Sequence, residues 1–212
     1  MEESKSLEFH EIEVKFRVDE KILNDWKQLV ETYRDMNPSE YVDFVYVDSD
    51  DIYYINPKIS DDLDYQFIRH RFSDDPKNKR AELTTKKKIG NTNNIIRREW
   101  NVRVDNNEKE TIRSWVEEGL GYKYDFKIRK YVQIYIFKDA TLPFYTVIDE
   151  KGRRDTFLEI EVDERLLAKD KVTEEQAWEI IKKYETLFVS LGITSRNRLR
   201  NSLFEMYTNS KK

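Results

Sequence analysis

Period-two alternation of apolar and charged residues recurs in segment after segment of this chain, and it limits the fold more than any other feature. Residues 11–17 put Glu11, Glu13, Lys15 and Arg17 on one side and Ile12, Val14 and Phe16 on the other. A middle run sets Arg97, Glu99, Asn101 and Arg103 against Trp100, Val102 and Val104, and a late run sets Glu159, Glu161 and Asp163 against Leu158, Ile160 and Val162. Two further runs present Arg69 with Arg71, and Lys86 with Lys88. Successive side chains of a strand point to opposite faces, so each run is a strand with one apolar and one charged face. A single charged strand face reads most simply as a solvated one; five with the same habit, two of them rich in carboxylates and the others mainly basic, need another home.

Strands are expected at Phe9–Val18, Tyr41–Val47, Tyr65–Phe72, Ala81–Lys88, Ile95–Val104, Phe126–Phe137, Tyr145–Ile148 and Phe157–Val162. Helices are few. One follows Asp19 with Ile22, Trp26, Leu29, Val30 and Tyr33 at helical spacing, and a shorter one spans Glu108 to Glu118, ended by Gly119. A third opens on a Thr173/Gln176 capping box, carries Ile180, Ile181, Tyr184, Leu187, Phe188 and Leu191 as its stripe, and stops at Gly192. A last helix is expected over Arg198 to Tyr207. Loops are polar, as at Asp74–Lys79 and Gly90–Asn94, and Asn56–Asp64 reads as a hairpin insertion. Many strands with few helices between them predict an antiparallel sheet closed on itself, an α+β chain in which the charged faces line a lumen and the apolar faces meet the helices.

The composition narrows the chemistry. Charged and hydrophobic residues are 38% each, yet 13% of the chain is aromatic, which argues against disorder. With 212 residues and no repeat, one domain over 1–212 is expected. The net charge of −4 excludes a general nucleic-acid binder. There is no cysteine and only two histidines, so a metal must be held by carboxylates, which favours Mg2+ or Mn2+ over zinc. Residues 1–10 lack the apolar segment of a signal peptide and no stretch suits a membrane span, so a soluble, cytoplasmic protein without membrane partners is expected. The many Asn, Asp, Lys, Ile and Tyr residues suggest an AT-rich genome such as a virus. Carboxylates at i and i+2 on two facing strands, Glu11 with Glu13 and Glu159 with Glu161, make an oxygen cage for a divalent cation, and rows of Lys and Arg beside it suit a polyphosphate.

The run Glu11-Ile12-Glu13-Val14-Lys15 resembles the E-x-E-x-K signature that opens CYTH domains, the triphosphate tunnel metalloenzyme superfamily of class IV adenylyl cyclases, thiamine triphosphatases and inorganic triphosphatases. Companions follow in family order: Asp51-x-Tyr53-Tyr54, Arg69-x-Arg71, Leu83-Thr84-Thr85-Lys86, Arg97-x-Glu99, Val147-Ile148-Asp149 and Phe157-Leu158-Glu159-Ile160-Glu161. The resemblance implies an eight-stranded closed barrel, the triphosphate tunnel, with helices outside. It implies metal binding by Glu11, Glu13, Glu159 and Glu161 with help from Glu99 and Asp149. Lys15, Arg69, Arg71, Lys86, Lys88 and Arg97 would grip a triphosphate, with Arg154 in the basic turn 151–155 beside them. Glu11, Glu13, Lys15, Glu159 and Glu161 would be the catalytic group.

Three departures from the family pattern stand out. Asn101 replaces a carboxylate, the glycine-rich turn Lys151-Gly152-Arg153-Arg154-Asp155 before the last acidic strand is more basic than the family's, and the late basic pair has two readings. Counting from Gly121-Tyr122 and Tyr135 selects Lys130, with Val132 where arginine belongs. Alternation selects Lys127 and Arg129, with Val132, Ile134 and Ile136 on the apolar face. A bulge decides between them. His10 and His70 fall out of phase with the charged faces and read as ordinary polar residues, and Trp26, Trp115 and Trp178 read as helix-packing residues. The expected activity is metal-dependent hydrolysis of an inorganic, nucleotide or other organic triphosphate. An adenylyl cyclase, an RNA 5′-triphosphatase (suggested by Arg196, Arg198 and Arg200) and a non-catalytic polyphosphate or cyclic-nucleotide binder are the alternatives. The expected partners are a triphosphate-containing small molecule or nucleotide, RNA only when triphosphate-ended, and a second copy as a homodimer.

Overall fold

The computed structural model describes residues 7–58, 67–73, 81–88, 96–163 and 173–209. Its strands are β1 (Leu7–Val18), β2 (Tyr41–Ile55), β3 (Phe67–Phe72), β4 (Ala81–Lys88), β5 (Ile96–Val104), β6 (Lys123–Phe137), β7 (Thr141–Asp149), β8 (Arg154–Asp163) and β9 (Arg198–Leu199). The helices are α1 (Leu23–Met36), α2 (Lys109–Ser114, continued as a π-turn to Gly119), α3 (Glu174–Phe188) and α4 (Leu203–Tyr207).

All the described strands form one antiparallel sheet in the order β5-β4-β3-β2-β6-β7-β8-β1-β9. Its two ends also meet, because Leu7 to Ile12 of β1 pair with Asn101 to Ile96 of β5. Further along the same edge, Lys15 and Phe16 pair with β9 instead. The expected closed eight-stranded barrel is thereby corrected to a nine-stranded sheet that does not close along its whole length. The seam covers only the first half of β1, and β9 takes the edge that β5 leaves. The expected helix over Arg198–Tyr207 is likewise split. Arg198 and Leu199 are drawn out to pair with β1, and α4 begins only after Ser202, whose hydroxyl accepts from the Glu205 amide as an N-cap.

The apolar stripes explain where the helices sit. Ile12, Val14 and Phe16 of β1 and Leu158, Ile160 and Val162 of β8 form one buried cluster with Trp26 and Val30 of α1 and Ile181, Tyr184 and Phe188 of α3. The α1 entry is capped by Asp19, whose carboxylate accepts from the Lys21 amide at 3.0 Å. The Thr173/Gln176 capping box opens α3, and Gly192 (φ 73°) takes the left-handed turn after it. With the apolar faces of β1 and β8 turned out to these helices, their charged faces point inward. Trp26 is fully buried as expected, whereas Trp115 is 53% exposed, so the packing role assigned to it fails. Of the insertion expected at Asn56–Asp64, β2 reaches Ile55 and a turn occupies 57–58, and the rest lies outside the described residues, as do the loops 74–79 and 90–94.

His70 lies on the outward face of β3, out of phase with Arg69 and Arg71 as expected, but it is only 1% exposed and neither ring nitrogen has a hydrogen-bond partner. Burial, followed by the Lys109 charge, pushes its pKa down to about 4. The unfolded chain takes up a proton near pH 6.5 and the folded chain resists it. Stability is therefore complete above about pH 6.5 and drains away as pH falls toward 4, by up to about 3 kcal/mol. Urea titrations of wild type and His70→Leu at pH 7 and pH 4.5 should show the variant losing less stability over that interval; equal losses would remove His70 as the cause.

Candidate active site

Inward-facing residues of β1 to β8, with Ser202, Leu203 and Phe204 at the start of α4, line a cavity of about 320 Å³, within the range of small-molecule sites. Its charged lining among the described residues is balanced: Glu13, Glu82, Glu99, Glu159 and Glu161 against Lys15, Arg69, Arg71, Lys86 and Lys130. The acids and bases are not mixed at random.

At the β1–β8 wall, Glu13 lies opposite Glu161 and Lys15 opposite Glu159 in the strand register. Lys15 Nζ is 2.8 Å from Glu159 Oε1 and 3.5 Å from Glu13 Oε1. Tyr145 on β7 donates to Glu159 at 2.6 Å, and Thr141 donates to Glu161 at 2.8 Å. Burial raises the proton affinity of Glu159, but the adjacent Lys15 ammonium outweighs it and holds the carboxyl below its usual range. Glu13, Glu159 and Glu161 each bring a carboxylate oxygen within 4.8 Å of the others. Three converging carboxylates form a hard oxygen donor set, which fits Mg2+ or Mn2+.

Across the cavity, Arg69 Nη2 donates to Thr84 Oγ1 at 3.0 Å and to Glu82 at 3.3 Å and lies 3.6 Å from Glu99. Lys86 Nζ is 3.2 Å from Glu99. Arg71 makes a two-pronged contact to the fully buried Asp51, at 2.7 and 2.8 Å. Lys130 Nζ sits over the Tyr145 ring, 4.1 Å from its centre, and burial, then the Arg71 charge, pushes its pKa down to about 8. Two buried donors in this wall, Arg69 Nε and Ser49 Oγ, have no hydrogen-bond partner. Buried polar groups are normally satisfied, so these two atoms of cavity-lining residues stand out.

The structure thus brings together Glu13, Lys15, Arg69, Arg71, Lys86, Glu99, Lys130, Glu159 and Glu161. Glu99 lies with Lys86 and Arg69 and is not one of the three clustered carboxylates. Glu11 lies opposite Arg97 and Asp163, and Lys88 opposite Arg97, but the side chains of Glu11, Lys88 and Arg97 lie outside the described residues.

Four expected residues are placed elsewhere. Asp149 caps the turn after β7, accepting from the amides of Lys151 and Arg153 at 2.9 Å. Arg154 pairs with Glu20 at the surface. Lys127 and Arg129 pair outside with Asp50 and Asp48. The reason is register. The β2–β6 ladder shifts only at its two ends, so from Phe126 to Ile136 the alternation is unbroken and Lys130, Val132 and Ile134 share the inner face. The reading that put Val132 and Ile134 outside is therefore corrected. Reasoning from the sequence also missed Ser49, Glu82 and Tyr145, although Ser49 is in phase with Asp51 and Tyr53, and Glu82 with Lys86.

No helix among the described residues is long and apolar enough to cross a membrane. No family model matches the chain, and no curated protein matches it. Solved structures do. A conserved hypothetical protein from Pyrococcus furiosus is 25% identical, with a TM-score of 0.65 over 92% of this chain and 98% of that one. A candidate adenylate cyclase from Vibrio parahaemolyticus is 14% identical, with a TM-score of 0.61 over 92% and 96%. The candidate adenylyl cyclase HpAC1 from Hippeastrum, which has a dominant triphosphatase activity, is 13% identical, with a TM-score of 0.57 over 96% of both chains. The chain thus shares the fold of these structures, and its opening Glu11-x-Glu13-x-Lys15 run resembles the signature of the triphosphate tunnel superfamily.

Proposed function

We propose that the protein is a divalent-metal-dependent triphosphatase whose substrate lies in the cavity lined by the sheet. The observation that carries this reading is the opposition, inside one cavity, of the Glu13–Glu159–Glu161 carboxylates to Arg69, Arg71, Lys86 and Lys130. Lys15 offsets part of the repulsion among the carboxylates, and Glu99 and Asp51 part of that among the bases. A magnesium- or manganese-bound triphosphate would bring a cation to the first half and an anion to the second.

Glu13, Glu159 and Glu161 would hold the cation, which supplies charge neutralisation and polarises a phosphoryl oxygen. Arg69 and Lys86, backed by Glu99, and Arg71, held by Asp51, would grip phosphate oxygens with charge-assisted hydrogen bonds. Lys15, now spanning two carboxylates, would turn to the phosphate chain once their charge is otherwise met. Water attacks the terminal phosphorus, the P–O bond to the bridging oxygen breaks, and orthophosphate leaves with a diphosphate-ended product. Positioning and charge neutralisation provide the rate enhancement. The triphosphatase activity of HpAC1, on the same fold, supports hydrolysis over cyclisation.

Purified protein should release orthophosphate from a triphosphate when Mg2+ or Mn2+ is added, and EDTA should abolish the release. Turnover that survives EDTA would overturn the metal assignment. Cyclic AMP and pyrophosphate from ATP would replace hydrolysis by cyclisation.

A further inference from the structure

Tyr145 on β7 touches both halves of the cavity at once. Its register partners are Val132 of β6 and Phe157 of β8. Lys130 and Glu159 lie two residues from those partners on the cavity face, so each is a diagonal neighbour of Tyr145, at a separation that an aromatic side chain spans. The hydroxyl donates to Glu159 Oε1 at 2.6 Å, and Lys130 Nζ sits 4.1 Å from the ring centre. The ring is fully buried and lies against Phe157, with 5.3 Å between centres. A stiff side chain packed in this way has little freedom to move either contact.

The hydroxyl matters because of what else Glu159 meets. Lys15 Nζ lies 2.8 Å from the same oxygen, Oε1. A carboxylate pinned at one oxygen keeps the other to offer. In the reading above, Lys15 leaves for the phosphate chain, whereas Tyr145 is rooted in the core and stays. Carboxylates that bind metal are themselves oriented by hydrogen bonds of this kind, and losing such a partner typically costs about 10- to 100-fold in metal affinity. The ring acts differently on Lys130. A cation over an aromatic face is attracted without being neutralised, so its charge is still available to an anion.

We infer that Tyr145 is a positioning residue for both halves of the site: its hydroxyl aims Glu159 at the divalent cation, and its ring holds Lys130 toward the phosphates. This rests on the triphosphatase reading and gives one side chain two separable tasks. Tyr145→Phe removes only the hydrogen bond, and Tyr145→Leu removes the ring as well.

Calorimetric titration of wild type and both variants, with Mn2+ alone and with tripolyphosphate alone in EDTA, separates the two tasks. Tyr145→Phe should weaken Mn2+ binding about tenfold and leave tripolyphosphate within about twofold. Tyr145→Leu should weaken both, tripolyphosphate by about fivefold, the ratio that a buried cation–ring contact accounts for. In turnover, Tyr145→Phe should raise the metal concentration for half-maximal rate by about the same tenfold and keep kcat at saturating metal within about threefold. A tyrosine that serves packing alone would lower the melting point and leave both affinities unchanged, which overturns the role. Equal weakening of tripolyphosphate by Phe and Leu removes the ring's part in it. Should Tyr145→Leu not fold, Tyr145→Met, longer and more adaptable, takes the ring away in its place. Wild type that takes up no Mn2+ overturns the metal reading and this role with it, an outcome distinct from wild-type binding that Tyr145→Phe retains.

Discussion

Glu13→Gln is expected to lower kcat about a thousandfold or more while leaving the thermal midpoint unchanged or slightly higher. A metal ion that stabilises transferring charge is responsible for several kcal/mol of barrier, and each 1.36 kcal/mol is a factor of ten. Removing one of three carboxylates whose oxygens lie within 4.8 Å of one another should forfeit about 4 kcal/mol of that, a factor of about a thousand. The fold pays no such cost. Lys15 keeps its 2.8 Å partner Glu159, and Glu159 loses a neighbour whose charge opposes its own ionisation. Steady-state kinetics and a melting curve on the same preparation decide the matter. Activity within tenfold of wild type would take Glu13 out of the reaction, and a collapsed melting point would make it a structural residue.

Asp51→Ala should do the reverse, costing stability first. Asp51 is fully buried, and its carboxylate is the two-pronged partner of Arg71. Burial pushes its pKa up, but Arg71 and then the Arg69 and Lys130 charges outweigh that and hold the carboxyl far below the usual range. Taking Asp51 away leaves three cations without the anion between them. Removing one member of a buried pair typically costs 3–5 kcal/mol, which in a chain of this length lowers the midpoint by roughly 10 °C. Saturating tripolyphosphate should recover part of the loss in the variant, because it supplies negative charge at the same place. A midpoint within about 2 °C of wild type would show that the pair is not a structural element.

The parts of the site legible in the sequence are those where one strand face is buried under a helix. On β1 and β8, Ile12, Val14, Phe16, Leu158, Ile160 and Val162 pack against α1 and α3, so the charged residues between them had to face the cavity. Alternation gives two faces but does not name the outer one. In its first half the outer face of β6 meets solvent, where Lys127 and Arg129 find Asp50 and Asp48 on β2. Charge then sits outside and Val132 and Ile134 inside, the opposite of β1. Asp149 and Arg154 were misassigned for a different reason. A motif position beside a turn can serve the turn, as Asp149 does by capping the residues around Gly152 (φ 77°). The half-closed seam was not legible, since it depends on which of β5 and β9 reaches β1 at each level.

Because β1 is bordered by β5, β8 and β9, the first strand of the chain waits for the last before it is fully paired. Glu13 stands opposite Glu161, roughly 150 residues further on, and closing so large a loop is entropically costly and slow. The clustered carboxylates should therefore be among the last groups brought into register during refolding. Recovery of turnover after dilution from urea should lag behind the return of α3 helicity, with an interval between them in which the chain is structured but inert.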